Sequence, residues 1–458
     1  MTTRALFALL ASSTLLCACA HERDLEPEIE LPAAFAEPAE GAPVADRWWE
    51  SFHDPGLTAL VDDTMSGNFQ MAQAWSRLDQ VAALREQQGS FLWPAMQLEA
   101  SGGRSRSADP FGNTVHGNRF SLSAAAAYEV DVWGRLDAAD DAAQFDFEAG
   151  RNDVESLAMT LVSQVAETWF LLLETRATRE LLDRQIKTNE QFLELVHLRF
   201  SVGQAGAVDV YQQRQQLMAV RAQIPLVDAR ANALERALAL LVGKVPGDRQ
   251  LSERSTLPTL GPLPGTGVPS ELLENRPDLR AARLRLASQD RRVAAAVADR
   301  FPSLRLSAST GYQADTVEDL LDRWIWSIAG SLVLPILDGG RRKAEVARQK
   351  AVLDERLAGY SQSILTAFKE VEDALDGEAS QRRYVSELEA QLELARATLR
   401  ESRSTYAQGL STYLPVLQAL ASVQNTERTL IGARRQTLSY RVQLHRALGG
   451  RWTQELER

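Results

Sequence analysis

Thiols are almost absent from this chain. Its 458 residues include two cysteines, Cys17 and Cys19, one residue apart at the end of an apolar run, with no third cysteine to pair with either. Bridging them would bring their Cα atoms closer than an extended backbone comfortably allows, so no disulfide framework is expected. Histidine is also sparse. His21, His53, His116, His197 and His445 are scattered, there are six methionines and no His/Met tract, so neither a metal site nor a cofactor is expected. No P-loop, no GxSxG turn and no convergent nucleophile and base are present, and the chain does not read as an enzyme. Basic residues are outnumbered 50 to 61, a formal charge of −11. That balance repels nucleic-acid phosphates and gives no basic amphipathic surface for anionic lipid.

The start of the chain explains the two cysteines. Arg4 is a positive n-region, and Ala5 to Leu16 is an apolar stretch too short to cross a bilayer. The tetrad Leu16-Cys17-Ala18-Cys19 resembles the bacterial lipobox, which makes residues 1–18 a lipoprotein signal peptide and Cys19 the first mature residue. Cys19 then carries S-diacylglycerol and an N-acyl chain such as palmitate, the only covalent additions expected. An ordinary secretory signal cleaved within "CACAH" is the alternative. Ala20, rather than Asp, follows the cysteine, which in the resembling lipoproteins goes with outer-membrane export. Residues 19–50 are acidic, proline-bearing and aperiodic over 22–47, an extended lipid-anchored tether.

The remainder is duplicated. Arg199 to Gly206 has a counterpart in Thr405 to Thr412, and Trp133-Gly134-Arg135 in Gly339-Gly340-Arg341, both offset by 206. Trp93-Pro94 to Leu98 maps onto Phe301-Pro302 to Leu306 at an offset of 208. Residues 51–250 and 270–450 therefore read as two repeats joined by a linker, 251–269, with a tail at 451–458. Within the repeats, Leu136–Phe200 and Lys343–Tyr406 lack proline and carry apolar residues at helical spacing. About 65 residues rising ~1.5 Å each give a helix about 98 Å long, suited to a coiled coil or a tube wall. Gly56–Leu92, Ala207–Val242, Ser270–Arg300 and Ser411–Leu448 each suit one shorter helix, and pairs of these stack to the height of a long one.

Between the helices, strands alternate. Phe120 to Val132 sets Phe120, Leu122, Tyr128, Val130 and Val132 against Ser121, Ser123, Glu129 and Asp131, and Leu304 to Gln313 alternates likewise. Met96 to Gly102 is a weaker third strand, and Trp324 to Leu337 a fourth, with hairpin loops at Arg104–Asn118 and Ala314–Arg323. Their lengths suit tilted transmembrane strands, and Trp93, Trp133, Trp324 and Trp326 fall where an interfacial belt places them. A small soluble sheet beside a helical bundle is the plainer reading. Four strands cannot close a membrane barrel, for which eight is the usual minimum, so a barrel requires several copies; three give twelve strands.

The sequence resembles the outer-membrane factor family, the TolC- and OprM-like channels of tripartite efflux and secretion systems, in its NodT-like lipoprotein branch. The resemblance is carried by Cys19, Trp48-Trp49, Phe52 to Leu57, Leu273 to Arg280 ("LENRPDLR"), Phe301-Pro302, Leu337 to Arg342, Tyr406 with Gly409, and Ala447 to Trp452. It implies a mixed α/β membrane protein: a homotrimer forming a 12-stranded outer-membrane β-barrel, four strands per protomer, continuous with a long periplasmic α-helical barrel. It implies passive efflux of drugs or other small molecules in a Gram-negative outer membrane, with a periplasmic membrane-fusion adaptor and an inner-membrane pump of the resistance-nodulation-division type. Partners would then be those proteins and outer-membrane lipid, not nucleic acid. An exit duct for type I protein secretion, or a lipid-anchored periplasmic scaffold without a pore, are the alternatives. The resemblance puts adaptor contact at the helix-reversing turns Val202, Gly203, Gln204, Gly206 and Gly409, Leu410, Ser411. The acidic constriction of the OprM-like pattern is replaced here by Gln418 and, in the first repeat, Gln212. Closure then falls to Gln212, Tyr413, Leu417 and Gln418. Acidic residues along the channel would favour cations.

Lipidation is directly testable. Mass spectrometry of the mature N-terminal peptide should show diacylglyceryl and acyl additions on Cys19, and Cys19→Ser should leave uncleaved precursor or an unanchored chain. A free thiol at Cys19 would refute the anchor.

Overall fold

The computed structural model describes residues 26–27, 29–36, 41, 45–108, 110–112, 114–247, 254–450 and 452–456. The signal peptide and Cys19 lie outside them. The order of elements is α1 (Pro55–Gly67), α2 (Phe69–Gly89), β1 (Ala95–Ala108), β2 (Thr114–Val130), α3 (Arg135–Ser201), α4 (Ala207–Arg221) and α5 (Ile224–Leu241). After a one-turn helix at Leu272–Asn275 come α6 (Pro277–Ala298), β3 (Ser303–Ala314), β4 (Trp324–Val333), α7 (Arg341–Ala407) and α8 (Leu414–Leu448). They form two compact units. One is built mainly from Ser76–Asn152 and Arg280–Gln362, the other from Glu30–Trp75, Asp153–Leu279 and Ser363–Arg458.

The two long helices have the same length, 67 residues, with starts and ends both 206 apart. Each begins at a carboxylate. Asp131 accepts from the backbone N–H groups of Arg135 and Asp137, and Asp338 from those of Gly340 and Arg342, which satisfies N-terminal donors that a helix cannot pair internally.

Three of the shorter helices are broken where the sequence suggests continuity. The span 56–92 divides at Asn68, whose amide oxygen accepts from Gln70 N and Met71 N while its Nδ2 donates to Leu241 O at 2.7 Å. The span 207–242 divides at Ala222–Gln223 because Pro225, in the first turn of α5, has no N–H to continue the ladder. The span 270–300 divides at Arg276, held extended ahead of Pro277. α8, with Pro415 in its first turn and no later proline, runs unbroken.

In the second unit the middle of α3 supplies the core: Leu161, Val165, Trp169, Phe170, Leu172 and Leu173 are fully buried. Part of the stretch expected as an extended tether packs on the second unit. Phe35 is buried and stacks on Phe368 at 5.6 Å, because an aromatic ring next to an apolar helix face is removed from water at little entropic cost. Trp48, Trp49 and Phe52 follow on a short 3-10 turn, also buried. Asp54 caps α1 and accepts from Trp169 Nε1 at 3.0 Å, joining this segment to α3. Arg441 and Glu378, both buried, form a two-pronged ion pair at 2.9 and 2.7 Å, and Arg441 also donates to Pro262 O in the inter-repeat linker.

His445 is stacked on Trp48 at 5.1 Å, and neither ring nitrogen has a hydrogen-bond partner among the described residues. Burial, reinforced by the Arg441 charge, pushes its pKa down to about 3. The folded value lies below the unfolded one, so the unfolded state binds the extra proton and stability falls as pH drops below about 6.5. The contribution has a slope of at most about 1.4 kcal/mol per pH unit. Melting temperature measured from pH 7 to 5 should therefore fall more steeply for the wild type than for His445→Phe, which keeps the stack; parallel curves would refute the assignment.

Candidate functional site

In the first unit, β1 to β4 form one antiparallel sheet in chain order. Every paired couple has the same parity: Leu98 faces Ala124, Leu122 faces Tyr312, and Tyr312 faces Trp324. Even-numbered residues therefore share one face across all four strands, odd-numbered residues the other. The even face presents Met96, Leu98, Leu122, Leu306, Tyr312, Trp324, Trp326, Ile328 and Leu332, with Met96 and Ile328 more than three-quarters exposed. The odd face is small and polar, and serines bond across it: Ser101 to Ser121 at 2.7 Å and Ser309 to Ser327 at 2.8 Å.

β1 is longer than its alternation suggests. Its Gly-, Ser- and Arg-rich second half continues the ladder to Ala108↔Thr114, so the first loop shrinks from 104–118 to residues 109–113. Backbone pairing needs no apolar side chain, which is why the pattern missed it. Trp324 and Trp326 stay exposed, whereas Trp133 is half-buried, stacks on Phe301 at 5.0 Å and donates to Pro302 O. Charges of both signs lie on the odd face: Glu129 pairs with Arg135 at 2.7 Å and with Arg305 at 3.5 Å.

In the second unit the two helix-reversing turns are built alike. After α3, Gly203 N donates to Phe200 O and Gln204 N to Arg199 O; after α7, Gly409 N donates to Tyr406 O and Leu410 N to Thr405 O. This is the Schellman arrangement, which needs positive φ at the glycine, +74° at Gly203 and +78° at Gly409. Space is not the reason, since a Cβ on Gly203 would meet nothing and one on Gly409 only the end of Arg199 at 3.9 Å. Val202, Gln204 and Leu410 are exposed, Ser411 is half-buried within 3.5 Å of Thr405 Oγ1, and Gly206 caps α4 with its N–H on Asp209.

The proposed closure residues divide. Gln418 is exposed and Gln212 half-exposed, so both remain available, while Leu417 packs partly under the surface. Tyr413 does not line any opening in the protomer. It is fully buried among Phe192, Val196, Val210, Tyr406, Val416 and Leu420, and its hydroxyl donates to Gln213 Oε1 at 2.7 Å. Gln213 Nε2 in turn donates to Asn189 O. The ring satisfies its polar tip inward because a buried phenol without a partner is costly. Burial pushes the Tyr413 pKa well above the ordinary range.

Arg199 was not legible as a site residue. Its guanidinium donates to the carbonyls of Tyr406 and Ala407 at 2.7 and 3.0 Å and lies 4.5 Å from the centre of the Tyr406 ring, capping α7 from the other repeat. A lone Arg in a last helical turn signals only a favourable dipole. Val208 and Tyr211 add exposed apolar surface beside the first turn.

Residues 60–244 and 268–450 match the family model described as outer membrane efflux protein. The chain is 30% identical over 459 residues to the pyoverdine export outer membrane protein OpmQ of Pseudomonas aeruginosa, covering 97% of this chain and 96% of that one. It is 30% identical over 413 residues to the toluene efflux pump outer membrane protein TtgI of Pseudomonas putida, covering 88% and 87%. The solved outer-membrane channel OprN superposes with a TM-score of 0.88 at 26% identity, over 93% of this chain and 99% of that one.

The two neighbouring tyrosines, their rings 5.3 Å apart and tilted by 59°, give an internal contrast. Tyr406 is buried with no hydrogen-bond partner for its hydroxyl among the described residues, unlike Tyr413. Tyr413→Phe should strand Gln213 and lower the local opening free energy of α8, read by amide hydrogen exchange at 416–420, by about 1–2 kcal/mol. Tyr406→Phe should change it by less than about 0.5 kcal/mol. Equal losses would refute the network.

Proposed function

The chain belongs to the outer membrane efflux protein family, and from that premise we propose that three copies close their sheets into one barrel that passively passes small molecules out of the cell. Four strands per copy make twelve in all. One observation carries this reading: a sheet whose even face is largely apolar and exposed, and whose edge strands β1 and β4 have no further strand partner among the described residues. Open edges are prohibitively costly in lipid, so other copies must supply the missing pairs. The odd face, small and polar, then lines the lumen and imposes little selection by size.

Force comes from elsewhere. A periplasmic adaptor and an inner-membrane pump, of the resistance-nodulation-division type implied by the sequence resemblance, deliver cargo, and the adaptor seats on the two turns. Val202 and Leu410, exposed apolar side chains beside the positive-φ glycines, are the contact points, with Gly203, Gln204, Gly206, Gly409 and Ser411 shaping the surface. Gln212, Gln418 and Leu417 are the constriction candidates. Relatives named for pyoverdine export and toluene efflux support a small organic cargo over a protein. Cys19 holds the N-terminus in the outer membrane.

Detergent-purified protein should have the mass of three protomers. In cells lacking their own channel but supplying the matching pump and adaptor, Val202→Glu/Leu410→Glu should reduce dye efflux by about fivefold or more at normal outer-membrane abundance. Both sites are exposed, so folding is unaffected. A monodisperse monomer would overturn the barrel, and full efflux would overturn adaptor seating at the turns.

A further inference from the structure

The even face of the sheet does not remain apolar to its end. Reading along paired rows towards the two loops, Ala100, Leu122, Tyr312 and Trp324 form one row, and Gly102, Phe120 and Ala314 the next. Aromatic residues concentrated there mark a water–lipid boundary. The following rows turn basic. Arg104 pairs with Asn118, and Arg106 with His116, all four exposed and on the same face as Met96 and Leu98. At ~3.4 Å per residue they lie about 7 and 14 Å beyond Phe120 along the strand, the depth of a headgroup layer.

No acidic residue occupies the even face of β1 or β2; Glu99 and Glu129 are both odd. We propose that Arg104 and Arg106, with Asn118 and His116, form a binding site for the phosphate groups of outer-leaflet lipid headgroups. Two guanidinium forks one row apart can each grip a phosphate through paired N–H donors, while an amide and an imidazole opposite add further donors. The chain's net charge of −11 conceals this row, because the site depends on which face carries the charge and not on the total. The inference rests on the barrel reading, in which the even face meets lipid.

A rival occupant is protein. Pairing of β4 with the β1 of another copy would bring the loop holding Asp315, Glu318, Asp319 and Asp322 beside this hairpin. Asp319 already accepts from Thr316 Oγ1 at 2.6 Å, and a loop beyond the strand ends meets the tip of the hairpin, not its lipid face.

Native mass spectrometry of the full detergent-purified assembly separates these cases. Diphosphoryl lipid A, the same lipid fully dephosphorylated, and inorganic phosphate are the probes. Wild-type trimer should retain diphosphoryl lipid A, Arg104→Gln/Arg106→Gln should retain about tenfold less while remaining trimeric, and Arg104→Lys/Arg106→Lys should recover part of the loss. Undiminished retention by the glutamine variant, equal retention of the dephosphorylated lipid, or displacement of the lipid by an equal concentration of inorganic phosphate would each overturn the headgroup site. Dissociation of the glutamine variant into protomers would overturn it in favour of the loop of another copy. A wild type that is itself monomeric would overturn the barrel reading instead.

Discussion

The structure depends on a parity constraint. Four strands pair so that every odd residue stays on one face and every even residue on the other, and a slip of one position in any strand would put its tryptophans or leucines into the polar face. Two glycines secure the register. A Cβ on Gly311 would lie 2.5 Å from Leu122 O and 2.7 Å from Ser123 Cα, so only glycine permits β3 to lie this close to β2. On the other side of β2, a Cβ on Gly102 would lie 3.1 Å from the Phe120 ring, which fills the room left by the missing side chain. From this registration follow the apolar face, the basic rows beyond it and the unpaired edges that demand further copies.

How much of this could be read from the sequence varied with the kind of signal. The long helices were legible because 67 residues without proline, at helical apolar spacing, leave no competing structure. Strand parity was legible in β2 and β3, where apolar and polar residues alternate on either side of the alanine run Ala124–Ala127 and from Leu304 to Gln313. The second half of β1 was not, because Ser101 to Ser107 carries no alternating apolar signal and is held to β2 by backbone pairing and serine hydroxyls. The helix breaks were missed for a related reason. Asn68, Pro225 and Arg276-Pro277 interrupt a pattern whose apolar spacing is indifferent to them, although Pro225 by itself should have divided its helix.

The two repeats are alike in the long helices and unlike in what accompanies them. α3 and α7 have the same length at a constant offset of 206, yet the first repeat follows its turn with two helices divided at Ala222–Gln223 and the second with unbroken α8. The length of the long helix and the geometry of the turn that follows it are thus the same in both halves, and the return path differs. The family match to two segments separated by 245–267 follows the same division.

At the turns the same backbone motif is consolidated unequally. Gly203 and Gly409 have equivalent φ and hydrogen bonds, but the carbonyls ending α7 are also gripped by Arg199 from α3. Beneath them, the Tyr413 hydroxyl reaches Gln213, which reaches Asn189 on α3, so α3, α4, α7 and α8 meet in one buried cluster. Any opening movement that separated α7–α8 from α3–α4 would have to break a charge-assisted pair of hydrogen bonds and strand a buried phenol and a buried amide together. Each such loss costs about 1–3 kcal/mol, whereas the half-exposed Gln212 and the exposed Gln418 can exchange partners with water at little cost. Within the chain, these contacts therefore hold the four helix ends together as one body.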